Sequence, residues 1–235
     1  MHMLGKEDKG FTLVEILVTL AISMIMLGAI YMAINSAQRH STGIERKVTA
    51  QQDARSALEL MAMEIRMASF NPTYATGIWL DPANCTSVSG NQQYRGIQTA
   101  TATSIAVEMD IGPNTPSSAI RDAENEIITY TYDNDPASLR ITRSTNCGGA
   151  QAFLGDTAAS GRPRTVLVVN GDLNLPVFRY YDNDGNLIPA ANLPAAIPNI
   201  RRIEITLAVQ TEHIDPNTGQ RRNLIYSTSV IPRNH

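Results

Sequence analysis

The longest apolar stretch of the chain runs from residue 11 to residue 34 and reads FTLVEILVTLAISMIMLGAIYMAI. A helix of about 24 residues is about 36 Å long at 1.5 Å per residue, which is enough to cross a bilayer core of about 30 Å. The pattern therefore predicts a membrane-spanning helix near the start of the chain.

The helical pattern continues beyond this stretch, with one stripe of residues mostly three or four positions apart. The stripe consists of Ile44, Val48, Gln51, Leu58, Met61, Ala62, Ile65 and Ala68, with a gap around Ala54-Arg55. Such spacing is typical of an amphipathic helix that packs one face on a globular domain. Because Pro72 disfavours the helical region for Asn71, we expect one helix from residue 11 to residue 70.

Beyond Pro72 the helical period gives way to short β-rich runs separated by turn residues. We predict strands at 104–111, 126–132, 139–143, 165–169, 177–181, 202–211 and 224–231, with 165–169 in a central position because it is apolar throughout. The turn residues 133–136 predict a hairpin, and residues 71–103 a long polar loop. The expected fold class is α+β, a long N-terminal helix packed on a mainly antiparallel β-sheet head.

The apolar stretch has three interpretations. A secretory signal peptide has a shorter apolar run of about 7–15 residues, followed by a small-residue cleavage site. An ordinary single-span anchor explains the length, but it leaves the carboxylate of Glu15 inside the span at a cost of a few kcal/mol. The third interpretation supplies a partner for this carboxylate.

Residues 9–15, Lys-Gly-Phe-Thr-Leu-Val-Glu, resemble the processing site of type IV prepilins and type II secretion pseudopilins. The resemblance implies that a membrane peptidase cleaves between Gly10 and Phe11 and that the new N-terminus of Phe11 is methylated. It also implies that Glu15 neutralises the N-terminal amine of a neighbouring subunit, which would offset much of the cost of burying both charges. Glu15 would then set the register of assembly.

By this resemblance the fold is a pilin fold with four segments. Residues 1–10 form a cytoplasmic leader, 11–34 a transmembrane and assembly helix, 35–71 an amphipathic helix on the head, and 72–235 the β-rich head. Lysine and arginine counts do not settle the orientation. The resemblance and the cysteines place the protein in the inner membrane as a single-pass protein with a periplasmic head, and later in a filament at the cell surface.

After the processing site come a long helix, a cysteine-containing loop, a YDNDG turn at 181–185, an IRRIEITL strand at 200–207 and a terminal strand that ends in Arg-Asn. This order of features resembles PilW-like minor pilins and the related J-type minor pseudopilins. The leading hypothesis is a minor pilin of a type IV pilus that acts in initiation or at the tip. The alternatives are a minor pseudopilin of a type II secretion pseudopilus, and an adhesin or DNA-capture subunit. The implied partners are other pilins through the N-terminal helix, the prepilin peptidase and the inner-membrane assembly platform.

The chain has two cysteines, Cys85 and Cys147, both in loop-like surroundings. In an oxidising compartment they would form a disulfide that closes a loop of roughly sixty residues, worth about 4 kcal/mol. The alternative is two unrelated thiols in a cytosolic protein. The membrane segment favours the disulfide.

Charge and motifs add little further chemistry. The net charge of −3 and the two basic doublets in residues 72–235, Arg201-Arg202 and Arg221-Arg222, do not indicate a nucleic-acid partner. The turn at Asp182-Asn183-Asp184-Gly185 resembles the start of a calcium loop, but Leu193 stands where the loop needs a glutamate, so a hairpin turn is favoured. Metalloprotease, paired-cysteine, serine-hydrolase and phosphate-loop motifs are all missing. We predict a non-enzymatic protein without a catalytic residue, metal or cofactor.

Overall fold

The computed structural model describes residues 10–112, 123–155, 165–215 and 218–235, so the leader predicted over residues 1–10 lies almost wholly outside the described residues. The chain divides into two compact units, one ending at Glu45 and the other running from Arg46 to His235. The predicted α+β class is confirmed, because a long N-terminal helix is followed by antiparallel sheets.

Helix α1 spans Leu13–Arg66. Its buried residues lie within the second unit and are rich in alanine: Ala50, Ala54, Ala57, Leu58, Met61, Ala62, Glu64 and Ile65. The predicted stripe is wrong at its start, since Ile44 and Val48 are 64% and 42% exposed. Ala54, which falls in the expected gap, is fully buried. Four of the eight buried residues of the helix are alanines.

The helix ends at Arg66, four residues before the predicted end at residue 70. Ser69 adopts a left-handed φ of 66°, which is incompatible with a continuing helix. Its N–H donates to the carbonyl of Glu108 at 2.9 Å, and the N–H of Asp110 donates to the carbonyl of Phe70 at 2.8 Å. The chain therefore leaves the helix by pairing with residues 108–110, before Pro72 is reached.

Nine strands lie in the described part of the chain. They are β1 (Ile97–Ala100), β2 (Ser104–Glu108), β3 (Ile127–Asp133), β4 (Arg140–Thr145), β5 (Gln151–Leu154), β6 (Val166–Val168), β7 (Phe178–Tyr181), β8 (Arg202–Thr211) and β9 (Asn223–Val230). A four-residue helix, α2, spans Leu193–Ala196. The hairpin predicted between β3 and β4 is confirmed, whereas β1 lies in the segment predicted to be a polar loop and β5 was not predicted.

The strands form two antiparallel sheets, whereas the sequence pattern predicted one. The first sheet has the order β1-β2-β3-β4-β5, and in the second β8 pairs with β6 and β7 along one side and with β9 along the other. The predicted central position of the 165–169 strand is wrong, because among the strands of the described ranges β6 pairs only with β8. Its continuous apolar character has another cause: Val166 and Val168 enter the main core, while Leu167 joins a second cluster with Ala208.

One hydrophobic core joins the buried part of α1 to both sheets. A close approach at one edge of this core requires glycine. A Cβ atom added to Gly96 would lie 2.2 Å from the backbone N of Ser69 and 2.3 Å from the carbonyl oxygen of Glu108. The turn after α1 can therefore pack directly on the segment that leads into β1.

Candidate processing and assembly segment

Gly10 and Phe11, the predicted processing residues, lie immediately before α1 and are both exposed. Phe11 is 80% exposed. The two residues precede the helical hydrogen-bond ladder, so the peptide bond between them is not part of regular secondary structure.

Thr12 caps the helix that follows. Its Oγ1 accepts the N–H of Glu15 at 3.2 Å, and its carbonyl accepts the N–H of Ile16 at 3.2 Å. A threonine three residues before a glutamate is the sequence signature of a helix N-terminus. The charge of Glu15 does not point to Thr12, but the Thr-x-x-Glu spacing could have identified this cap from the sequence.

Glu15 therefore lies in the first turn of α1, where a carboxylate interacts favourably with the helix dipole. Its side chain is exposed, and within residues 10–112, 123–155, 165–215 and 218–235 it forms no ion pair. Phe11 precedes it by four residues, about one helical turn. A chain that began at Phe11 would carry its α-amino group at the same end of the helix as this carboxylate.

The segment after Glu15 presents apolar side chains on all sides. Its large apolar residues from Phe11 to Ile34 are between 50% and 80% exposed. By length and composition α1 could cross a membrane, and the most apolar part of it has no buried residues within the chain. A helix that is apolar all round is stable only where lipid or other protein covers it.

In the head, the structure joins Cys85 and Cys147 in a disulfide with a Cα–Cα distance of 5.8 Å. Cys85 is buried in a small cluster with Ile78, Trp79 and Ile127. The disulfide links the segment after α1, which contains Cys85, to Cys147 just beyond the end of β4. The predicted polar loop is therefore partly a packed structure with its own apolar core.

Glu108, at the end of β2, is a buried carboxyl within the segment that the disulfide closes. Its Oε2 accepts the N–H of Leu80 at 2.9 Å. Burial raises the pKa of Glu108 to about 8; the hydrogen bond from Leu80 opposes this shift, and the charge of nearby Asp81 adds to it. The carboxyl is therefore largely protonated at neutral pH.

The turn at Asp182 is a self-contained hairpin turn. Asp182 Oδ1 accepts the N–H groups of Asp184 at 3.0 Å and of Asn186 at 2.8 Å, and Gly185 takes a left-handed φ of 80°. The hydrogen bond from the backbone of Asn186 is the main cause that lowers the pKa of Asp182. In the described ranges no three His, Cys, Asp or Glu side chains are grouped as metal ligands.

Three of the four arginines in the basic doublets contact other parts of the head. Arg201 Nη1 donates to the carbonyls of Pro198 and Ile200 at 2.9 and 2.8 Å. The guanidinium of Arg202 stacks 3.6 Å from the ring centre of Tyr181, and Arg222 pairs with Asp215 at 2.7 Å. These three guanidinium groups are therefore engaged with residues of the head itself.

The model of the prokaryotic N-terminal methylation motif matches residues 5–31, a range that contains Gly10, Phe11 and Glu15. This match supports a type IV pilin or pseudopilin family and covers the N-terminal segment alone. Neither the curated proteins nor the solved structures gave a significant match. The motif is typical of pilin-like structural subunits, which a prepilin peptidase processes and which assemble with other pilins, and the long apolar helix is consistent with membrane anchoring.

Proposed function

We propose that this chain is a minor pilin of a type IV pilus, acting in filament initiation or at the tip. The observation that carries the proposal is the arrangement at the start of α1. An exposed Gly10-Phe11 bond precedes a capped helix whose first turn holds Glu15 and whose following surface is apolar and uncovered. The methylation motif covers the same residues.

The proposed sequence of events begins with cleavage after Gly10 and methylation of Phe11. The new amine then interacts with Glu15 of a neighbouring subunit, while the apolar surfaces of adjacent helices cover one another. An opposite charge in a low-dielectric bundle offsets the cost of burying the carboxylate, and a missing partner would be strongly destabilising. The pair thereby fixes the axial position of one subunit against the next.

The mass of the protein extracted from its native membrane tests the processing step. We expect loss of residues 1–10 and one added methyl group on Phe11. Retention of the first ten residues in the mature protein would overturn the proposal. Identification of the co-purifying subunits distinguishes a pilus from a secretion pseudopilus.

A charge variant tests the role of Glu15. Glu15→Gln should insert into the membrane and be cleaved normally, yet be lost from the filament fraction. Glu45→Gln is the matched control, because it removes a carboxylate from the same helix beyond the apolar segment. Normal incorporation of Glu15→Gln would remove the charge-pairing role while leaving the processing result intact.

A further inference from the structure

Strand β9 forms an open edge of the second sheet. It pairs with β8 over its full length, from Asn223 opposite Gln210 to Val230 opposite Ile203, in an unbroken register. Within the described ranges no other strand pairs with β9. One side of its backbone is therefore without a strand partner.

The direction of the hydrogen bonds identifies the residues on that side. The N–H of Thr211 donates to the carbonyl of Arg222, so this opposed pair is a hydrogen-bonded one. In an antiparallel ladder, hydrogen-bonded and non-hydrogen-bonded residue pairs alternate. Every second residue counted from Arg222, namely Leu224, Tyr226 and Thr228, therefore also forms backbone hydrogen bonds with β8. Ile225, Ser227 and Ser229 direct their N–H and C=O groups outwards, and all three residues are exposed.

The other edge strands are protected in ways that β9 is not. Strands β1, β5, β6 and β7 have four, four, three and four residues, and the pairings of β1 and β5 contain register shifts. Strand β9 has eight residues, NLIYSTSV, without a charge, a proline or a bulge. Natural proteins avoid such an edge on an exposed surface, because it can pair with any extended chain.

A groove of about 550 Å³ runs between this edge and helix α1. It is lined from the helix by Arg55, Glu59, Met63 and Arg66 among others, and from β9 by Tyr226, Ser227 and Thr228. The lining contains two arginines and one glutamate, and Arg55 lies 5.4 Å from the ring centre of Tyr226. The positive balance of this lining favours an acidic side chain. Met63 is 53% exposed and offers an adaptable apolar contact.

We propose that the outer edge of β9 binds an extended segment of a different filament subunit, which adds to the second sheet as a further strand and directs an acidic side chain into the groove. Main-chain hydrogen bonds would supply affinity, and alternate side chains in the groove would supply specificity. This inference rests on the proposed function, because it takes the partner to be another subunit of the same filament.

A second copy of this chain fits the edge less well. Two β9 strands pairing antiparallel in one sheet would be related by a two-fold axis perpendicular to that sheet. Such an axis reverses one head relative to the other, whereas subunits that assemble from one membrane share one polarity. This antiparallel pairing of two copies is therefore disfavoured, and we assign the partner strand to a different protein.

Photo-crosslinking in the native cells tests the proposal. The full chain would carry p-benzoylphenylalanine at Ser227 or Ser229, and at Ile25 as a control for assembly through the apolar helix. We expect both edge positions to cross-link to one extended segment of another pilin-motif protein, at sites two residues apart. An adduct with a second copy, an adduct within the chain, or no adduct while Ile25 still cross-links would overturn the inference. Loss of the Ile25 adduct as well would count against the proposed function itself.

A proline substitution separates backbone pairing from side-chain contact. In Ser227→Pro the lost N–H points outwards, so the pairing with β8 should persist and the melting temperature should change by no more than about 4 °C. Cross-linking from position 229 should nevertheless fall at least about tenfold. Ser227→Ala keeps the N–H and should retain the adduct. Equal adduct yields from the two variants would contradict strand addition.

Discussion

Arg143 Nη2 lies 2.7 Å from Glu64 Oε1, which joins strand β4 to the buried face of helix α1. The same carboxylate accepts a hydrogen bond from Arg143 Nε at 3.2 Å and another from the hydroxyl of Tyr130. Burial, together with the neighbouring Glu64 carboxylate, raises the pKa of Tyr130 far above its usual range. The tyrosine therefore stays a hydrogen-bond donor at every physiological pH, and the three side chains attach the helix to the first sheet.

Removing one partner of the Glu64–Arg143 pair should lower the free energy of unfolding. Glu64→Ala leaves the guanidinium of Arg143, which is 16% exposed, without its counter-charge, and we expect a loss of about 3 kcal/mol in the free energy of unfolding. Urea unfolding of the purified chain in detergent, followed by circular dichroism, measures this loss.

The control for this prediction is Glu59→Gln, an exposed carboxylate on the same helix, which should change stability by no more than about 0.5 kcal/mol. The double variant Glu64→Leu/Arg143→Met should lose less than the sum of its single changes, since it leaves no buried charge. Additive losses would show that the two side chains do not act as a pair.

The disulfide should contribute about 4 kcal/mol, because it closes a loop with a sequence separation of 62 residues. The double variant Cys85→Ala/Cys147→Ala should lower the urea midpoint by the corresponding amount. Reduction of the wild-type protein should give a similar decrease, while the double variant should be insensitive to reductant. A midpoint that is the same with and without reductant in wild type would contradict a stabilising bridge.

Local sequence patterns predicted those elements whose own residues show a helical spacing, a strand alternation or a turn. The apolar helix, the Asp133 hairpin and the strand over residues 202–211 follow from spacing and turn residues alone. The Glu64–Arg143 pair could not be predicted in this way, because it joins residues 79 positions apart. The division into two sheets depends likewise on long-range pairing that no local pattern encodes. At the candidate assembly segment the roles of Gly10, Phe11 and Glu15 stay predictions, and the structure adds the cap at Thr12.

Glu108 should make the stability of the head depend on pH. Its folded-state pKa is raised to about 8 from an ordinary value of 4.5, so the folded protein holds a proton that the unfolded chain releases. Its contribution to stability is fully present below pH 4.5 and is lost as the pH rises towards 8, by at most about 1.4 kcal/mol per pH unit. Urea midpoints measured from pH 4 to pH 9 should show this decline.

The matched pair for this measurement is Glu108→Gln and Glu124→Gln. The first replaces the buried carboxyl with a neutral amide and should flatten the decline between pH 4.5 and 8. The second changes an exposed carboxylate and should leave the profile as in wild type. If Glu108→Gln kept the wild-type profile, another group would be responsible for the pH dependence.

Gly96 should tolerate no side chain, whereas Gly90 in the same segment should. A Cβ at position 96 would lie 2.2 Å from a backbone atom of Ser69, and backbone atoms cannot move aside as a flexible side chain can. At position 90 nothing lies within 4 Å of the added atom. We expect Gly96→Ala to cost at least about 3 kcal/mol and to weaken the 2.9 Å hydrogen bond from Gly96 N–H to Ser69 Oγ. Hydrogen exchange should then show faster exchange at Gly96 and Ser69 in this variant and unchanged exchange in Gly90→Ala. Equal stability of the two variants would mean that the turn after α1 does not need this close contact.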